Sequence, residues 1–148
     1  AAYTIVDKAE SENELANILN FKAVDLISKW SSNNSKKLIH ISTDYVFDGN
    51  SKIPYKEDAP TSPINFYGLT KLEGERICLN NDLHSIIIRT SWLYSNFGNN
   101  FVNAIIKKVR NKEKITVVKD QFGCPTNAKD LAFDTMNILN STLMDLIW

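Results

Sequence analysis

The chain has 148 residues, 43% of them hydrophobic and 10% aromatic, which supplies one ordinary globular core and excludes disordered and collagen-like compositions. Seventeen basic residues balance seventeen acidic ones, so no net field draws the chain onto nucleic acid or an anionic membrane. No apolar run approaches the roughly 18 residues of a membrane span, and the N-terminus lacks a charged-then-apolar signal, so the reading is a soluble, cytoplasmic protein.

In chain order, Ser11 to Glu14 has the S-x-x-E form of a capping box, and a helix is expected over about 12 to 30. Its apolar positions Leu15, Ile18, Leu19, Ala23, Leu26, Ile27 and Trp30 recur at helical spacing, with Trp30 read as core. "KLIHIS" is a short strand ending at Ser42. From Thr43 to Pro63 the text is loop, punctuated by Asp48-Gly49, Pro54, Pro60 and Pro63. A helix follows over about 65 to 80, then a buried strand "SIIIRTSWLY" over 85 to 94. After the loop "NFGNN" comes a helix over 100 to 111, capped by Asn99 or Asn100, with Phe101 read as core. "KITVV" is expected as a strand, "DQFGCPTN" as a loop with a cap at Thr126 or Asn127, and 128 to 140 as a helix. Strands that alternate with helices predict an α/β fold with a mostly parallel sheet.

In open α/β sheets, ligands sit beyond the carboxyl ends of the strands. "STDYVFDG", "TSWLY" and "DQFGCPT" occupy such places. Tyr67 and Lys71 fall one helical turn apart and share a face, and an ammonium beside a phenol favours the phenolate. That pairing makes a tyrosine a usable general acid or base. Thr43, at the end of the preceding strand, is placed to meet Tyr67 over a bound carbonyl. Other candidates point to structure. His40 and His84 lie at strand positions, and Asp7, Glu10, Glu12 and Glu14 cluster at a helix start, where negative charge suits the macrodipole. No metal site is expected. Cys78 and Cys124 are far apart, without nearby histidines, and read as reduced thiols. Arg89, a charge inside an apolar strand, needs either a buried partner or the pocket as its reason.

A threonine, a tyrosine and a lysine in this order resemble the extended short-chain dehydrogenase/reductases. More closely, "AAYT-VDKAESE", "HISTDYVFDG", "PY-ED-P-SP-N-YG-TK-EGE", "IIRTSWLY", "NNFV" and "VVKDQFGCPT-A-DLA" resemble, in the same order, segments of the dTDP-4-dehydrorhamnose reductase family. The resemblance spans nearly the whole chain. It implies a partial Rossmann-like, doubly wound parallel sheet with part of a small substrate domain. Residues 1–96 would be the later part of the dinucleotide-binding fold and 97–148 mostly substrate-domain segments.

The same resemblance implies reduction of a nucleotide-sugar ketone by hydride from NADPH, with NADH possible. Tyr67 would be the proton donor, Lys71 would tune it and hold the nicotinamide ribose, and Thr43 would orient the carbonyl. Ala1, Ala2, Tyr3 and Thr4 would pass the cofactor. Asp44, Tyr45 and Trp92 would line the sugar pocket, with Gln121, Pro125 and Thr126 on the substrate side. Related dehydratases carry an Asp-Glu pair after the threonine, because elimination needs an added acid and base. Here Thr43-Asp44-Tyr45 lacks the glutamate, which argues for reduction.

The five glycines, Gly49, Gly68, Gly74, Gly98 and Gly123, form no dinucleotide fingerprint. With no initiator methionine and an apolar ending, the chain is expected to be a fragment that binds NADPH poorly and turns over little. An open sheet edge is expected to invite dimers or aggregation. The competing class is a non-catalytic relative, such as the regulatory subunit of methionine adenosyltransferase. Intact Thr43, Tyr67, Lys71 and Trp92 favour the enzyme.

Overall fold

The first ordered turn is a 3-10 helix, Asp7–Glu10, closed by the Ala9 N–H on the carbonyls of Ile5 and Val6, both at 3.1 Å. In this computed structural model, residues 2–140 are described. Helix α1 (Asn13–Asn17) continues through a π-helical turn, Ile18–Lys22, into α2 (Ala23–Asn33). The expected capping box does not form. The Ser11 hydroxyl donates to the Lys8 carbonyl at 3.1 Å instead, because the preceding 3-10 turn brings that acceptor within reach. The π turn changes which side chains face inward. Asn20, at its centre, is only 1% exposed.

Strand β1 (Ile39–Thr43) pairs with β2 (Ile86–Thr90), and the Ile86 N–H donates to the Leu38 carbonyl at 2.9 Å. The two strands therefore begin side by side, the arrangement of a parallel pair whose connection must carry the chain back across the sheet. That connection contains α3 (Phe66–Asn81). Its N-cap is Asn65, whose Oδ1 accepts from the Gly68 N–H at 2.7 Å. A second acceptor comes from far away in sequence: the Glu10 carboxylate takes the Phe66 N–H at 2.7 Å. Both satisfy donors that a helix start leaves open.

Helix α3 sits against two apolar clusters, one of Tyr3, Ala9, Ala16 and Tyr67, the other of Val46, Phe47 and Leu72. Two glycines make the approach possible. A Cβ at Gly68 would run into the carbonyl oxygen of Tyr45, and one at Gly74 into that of Asn20. The far end of α3 is tied to α2 by Asn81, whose amide donates to the Asp25 carboxylate at 3.0 Å and to the Ser28 hydroxyl at 2.8 Å.

The described chain divides into two compact units, one running to Arg89 and the other starting at Thr90. The second holds β3 (Leu93–Tyr94), α4 (Phe101–Arg110), β4 (Thr126–Asn127) and α5 (Ala128–Asn140). β3 and β4 are parallel, with Leu93 opposite Thr126 and Tyr94 opposite Asn127. Asn100 caps α4 by accepting from the Asn103 N–H at 2.9 Å, and the Asn127 side chain accepts from the Lys129 N–H at 2.9 Å at the start of α5.

Three sequence expectations need correction here. The strand expected over 85 to 94 is two pieces, because Trp92 takes a left-handed φ of 47° that no strand accommodates. "KITVV" is not a strand: Ile115, Val117 and Val118 are exposed, with no ladder partner among the described residues. Trp30 and Phe101 are each 60% exposed rather than core. Helical spacing of apolar residues marks a stripe but does not say that anything covers it.

Candidate active site

β1 ends in the candidate site. Thr43 is its last residue and is 5% exposed; the chain then turns through a 3-10 helix, Asp44–Val46. The Thr43 Oγ1 accepts the Tyr45 N–H at 3.3 Å, which fixes the turn, and donates to the Asp44 carboxylate at 3.2 Å. Tyr67, in the first turn of α3, is 9% exposed and its ring meets that of Tyr45 edge to face, with centroids 5.6 Å apart. Strand end and helix start thus bring together a secondary alcohol and a phenol from positions distant in the chain.

The Tyr67 hydroxyl is pushed above its ordinary range, first by burial, with the Thr43 hydrogen bond pulling the other way and the charges of Asp44 and Tyr45 adding to the rise. The sequence expectation was the opposite direction, through Lys71. That lysine is 3% exposed, and its ammonium donates to the Ile41 carbonyl at 2.6 Å. Burial lowers the Lys71 pKa and the nearby Glu75 carboxylate counters it. An ammonium has three N–H donors, so two remain for a ligand's hydroxyls. The buried Ser42 hydroxyl has no partner among the described residues. The free donors of Lys71 fit the hydroxyls of a nicotinamide nucleotide's ribose.

Arg89 proves to have a buried partner. Its Nη2 lies 2.7 Å from the Glu75 carboxylate and its Nε 3.0 Å, while Nη1 donates to the Glu57 carbonyl at 3.0 Å. Its guanidinium also lies over the Phe47 ring at 5.1 Å, and Phe47 in turn stacks on Tyr55. Glu75, one helical turn beyond Lys71, is only 3% exposed. His40, on β1, is held neutral: burial first, then the Lys71 charge, lower its pKa to about 4, against the smaller pull of Glu75.

Of the residues expected to pass a cofactor, Ala1 lies outside the described residues. Tyr3 is buried, between exposed Ala2 and Thr4. The Asn20 side chain grips the Tyr3 backbone like a strand neighbour, accepting from its N–H at 2.9 Å and donating to its carbonyl at 3.1 Å. It also donates to the Thr70 hydroxyl, so the Tyr3 segment is tied to α3. The Tyr3 hydroxyl donates to Glu12 at 2.7 Å. Sequence reasoning missed Asn20 and Glu75. The available signals were an uncharged amide among the apolar residues Ile18, Leu19 and Ala23, and a carboxylate four residues after Lys71.

The remaining candidates belong to the second unit. Trp92 is 42% exposed, with its ring centroid 6.3 Å from that of Phe101, and its carbonyl accepts the Thr126 N–H at 3.3 Å. Gln121 and Pro125 are exposed and Thr126 is half-buried in β4. Ser91 pins the intervening loop by donating to the Cys124 carbonyl at 2.6 Å.

The chain is similar to several known proteins. The dTDP-4-dehydrorhamnose reductase of Salmonella typhimurium is 43% identical over 143 residues, covering 97% of this chain and 48% of that protein. The protein of the same name from Escherichia coli K12 matches at the same identity and coverage. A solved dTDP-4-dehydrorhamnose reductase from Bacillus anthracis, in complex with NADP, superposes with a TM-score of 0.93 at 40% identity, over 97% of this chain and 51% of that one. The chain thus spans about half the length of the relatives it matches. Residues 1–146 match the family described as RmlD substrate binding domain, and the chain belongs to that family.

Proposed function

We propose that the protein carrying this chain reduces the C4 ketone of dTDP-4-dehydro-L-rhamnose to dTDP-L-rhamnose, with Tyr67 as the proton donor. The observation that carries the reading is that Thr43 and Tyr67 are both buried at the carboxyl end of β1, where the Tyr67 ring packs on Tyr45 two residues beyond Thr43. NADPH, when bound, supplies the hydride to the carbonyl carbon. As negative charge grows on the carbonyl oxygen, Thr43 orients it and Tyr67 releases its proton to it. Such a donor stabilises the transition state more than the ground state. The raised Tyr67 pKa keeps the proton on the phenol until that charge develops. Lys71 would hold the ribose, with Tyr3 and its exposed neighbours beside the cofactor. Asp44, Tyr45, Trp92 and Gln121 would contact the sugar. The absence of a glutamate after Asp44 supports reduction over elimination.

We place the protein in the cytoplasm, in keeping with two free cysteines. No described helix is long and apolar enough to cross a membrane. Among the described residues β1 pairs with β2 alone, and self-association through an edge of that pair would be readable by size-exclusion chromatography.

The test uses the full-length protein, dTDP-4-dehydro-L-rhamnose and NADPH, following NADPH oxidation. Tyr67→Phe should lower kcat by about 10²–10⁴-fold with little change in substrate affinity, since only the proton is removed. An unaffected rate would remove Tyr67 from the chemistry.

A further inference from the structure

Arg89 lies on β2, and its guanidinium engages both elements that carry the candidate site. On α3 it forks onto the Glu75 carboxylate, with Nη2 at 2.7 Å from Oε2 and Nε at 3.0 Å from Oε1. Glu75 stands about two helical turns beyond Tyr67 and one beyond Lys71. On the side of β1, the guanidinium carbon is 5.1 Å from the ring centroid of Phe47, the residue that closes the turn Asp44–Val46 after Thr43. Nη1 donates to the Glu57 carbonyl at 3.0 Å, in the connection that leads to α3. Phe47 is 8% exposed and Glu75 3%, so both ends of this bridge are buried. Resting on the reductase reading above, we propose that Arg89 is a positioning residue for the reaction, locking the turn that follows Thr43 to helix α3 and so setting the gap across which Thr43 and Tyr67 hold the ketone oxygen.

The residue type suits that task. A guanidinium is planar, with five N–H donors in a fixed fork and a flat face that lies over aromatic rings. One edge therefore serves Glu75, another N–H serves Glu57, and the face covers Phe47, all at once. A lysine ammonium is a point charge and cannot do this. Stability alone does not call for such a joint, because an apolar pair of similar volume generally folds as well as a buried ion pair. What an apolar pair lacks is direction. The packing of Val46 and Phe47 against Leu72 is of that non-directional kind. Gly68 lets the Tyr45 carbonyl come close to α3, and Arg89 fixes where along the helix the turn comes to rest. Precision matters at that point, since a misplacement of about 1 Å can cost on the order of 10²-fold in rate.

The deciding experiment separates positioning from folding in the full-length protein. Arg89→Met alone strands the Glu75 carboxylate and can fail to fold, so the informative variant joins Glu75→Met with Arg89→Met and removes both charges at similar volume. This double variant should regain a urea midpoint near that of the unaltered protein. Its kcat for NADPH oxidation should nevertheless stay about 10–100-fold down, with the KM for NADPH changed by less than about threefold. A readout without turnover comes from ¹³C-tyrosine NMR of the ligand-free protein, with signals assigned through Tyr45→Phe and Tyr67→Phe. The two rings meet edge to face at 5.6 Å, so each shifts the other's signals, and both sets should move in the double variant. Restored stability together with full kcat, or unmoved ring signals, would overturn the positioning role. If the unaltered protein oxidises no NADPH with this sugar, the reductase reading falls, while the ring signals still decide whether Arg89 sets the turn.

Discussion

Helices α3 and α4 invert the usual link between amphipathic pattern and burial. The apolar residues of α4, such as Phe101, Ile106 and Val109, fall on a clear stripe, yet none of its residues is buried. α3 has almost no such stripe and buries eight residues, among them Thr70, Lys71 and Glu75. The reason is that polar side chains on α3 are satisfied one by one: Thr70 by Asn20 and the Tyr67 carbonyl, Lys71 by the Ile41 carbonyl, Glu75 by Arg89. A helix that carries a reaction centre is buried by partners rather than by a stripe, and removing a partner is costly.

That contrast can be broken most forcefully at Glu75. Glu75→Ala strands the Arg89 guanidinium, and about 3–5 kcal/mol of stability should be lost in urea unfolding. Joint replacement of Glu75 and Arg89 by apolar residues of similar size should recover most of the loss, which a double-mutant cycle reads directly. If Glu75→Ala is silent, the ion pair does not hold α3.

Next in size is Gly74→Ala. It should cost about 1–3 kcal/mol, because the added methyl meets the Asn20 carbonyl rather than a yielding side chain. A neutral result would mean that α3 does not lie against the π turn.

A pH dependence follows from His40. Its folded pKa, about 4, lies below the ordinary 6.5, so between these values the unfolded chain binds the extra proton. Stability from this group is therefore complete above about pH 6.5 and falls as pH drops towards 4, by on the order of 1 kcal/mol per unit at most. Unfolding midpoints measured across that window should show the slope, and His40→Gln should flatten it.

The smallest effect belongs to α4. Phe101→Ser, at a position 60% exposed, should change stability by no more than about 0.5 kcal/mol, in contrast to any change on the buried face of α3.

What the sequence made legible follows the same division. The order of strands and helices was readable because local signals agree with the fold at Asn65, Asn100 and Asn127, where an amide caps each helix start. Thr43 and Tyr67 could be set in one region because the turn after β1 packs on the start of α3, where the Tyr45 and Tyr67 rings meet. Asn20 was not readable, since its role depends on a π turn that no periodicity announces. The direction of the Tyr67 pKa was misread because proximity of Lys71 in sequence does not fix where its ammonium points. "KITVV" has the composition of a strand, but a ladder partner decides strand formation and composition does not supply one.

The most direct test is a crystal structure of the full-length protein with NADP and dTDP-L-rhamnose. The sugar O4 should lie about 2.6–3.2 Å from both Thr43 Oγ1 and Tyr67 Oη. An O4 held by neither hydroxyl, with the two turned to different ligand atoms, would contradict the account.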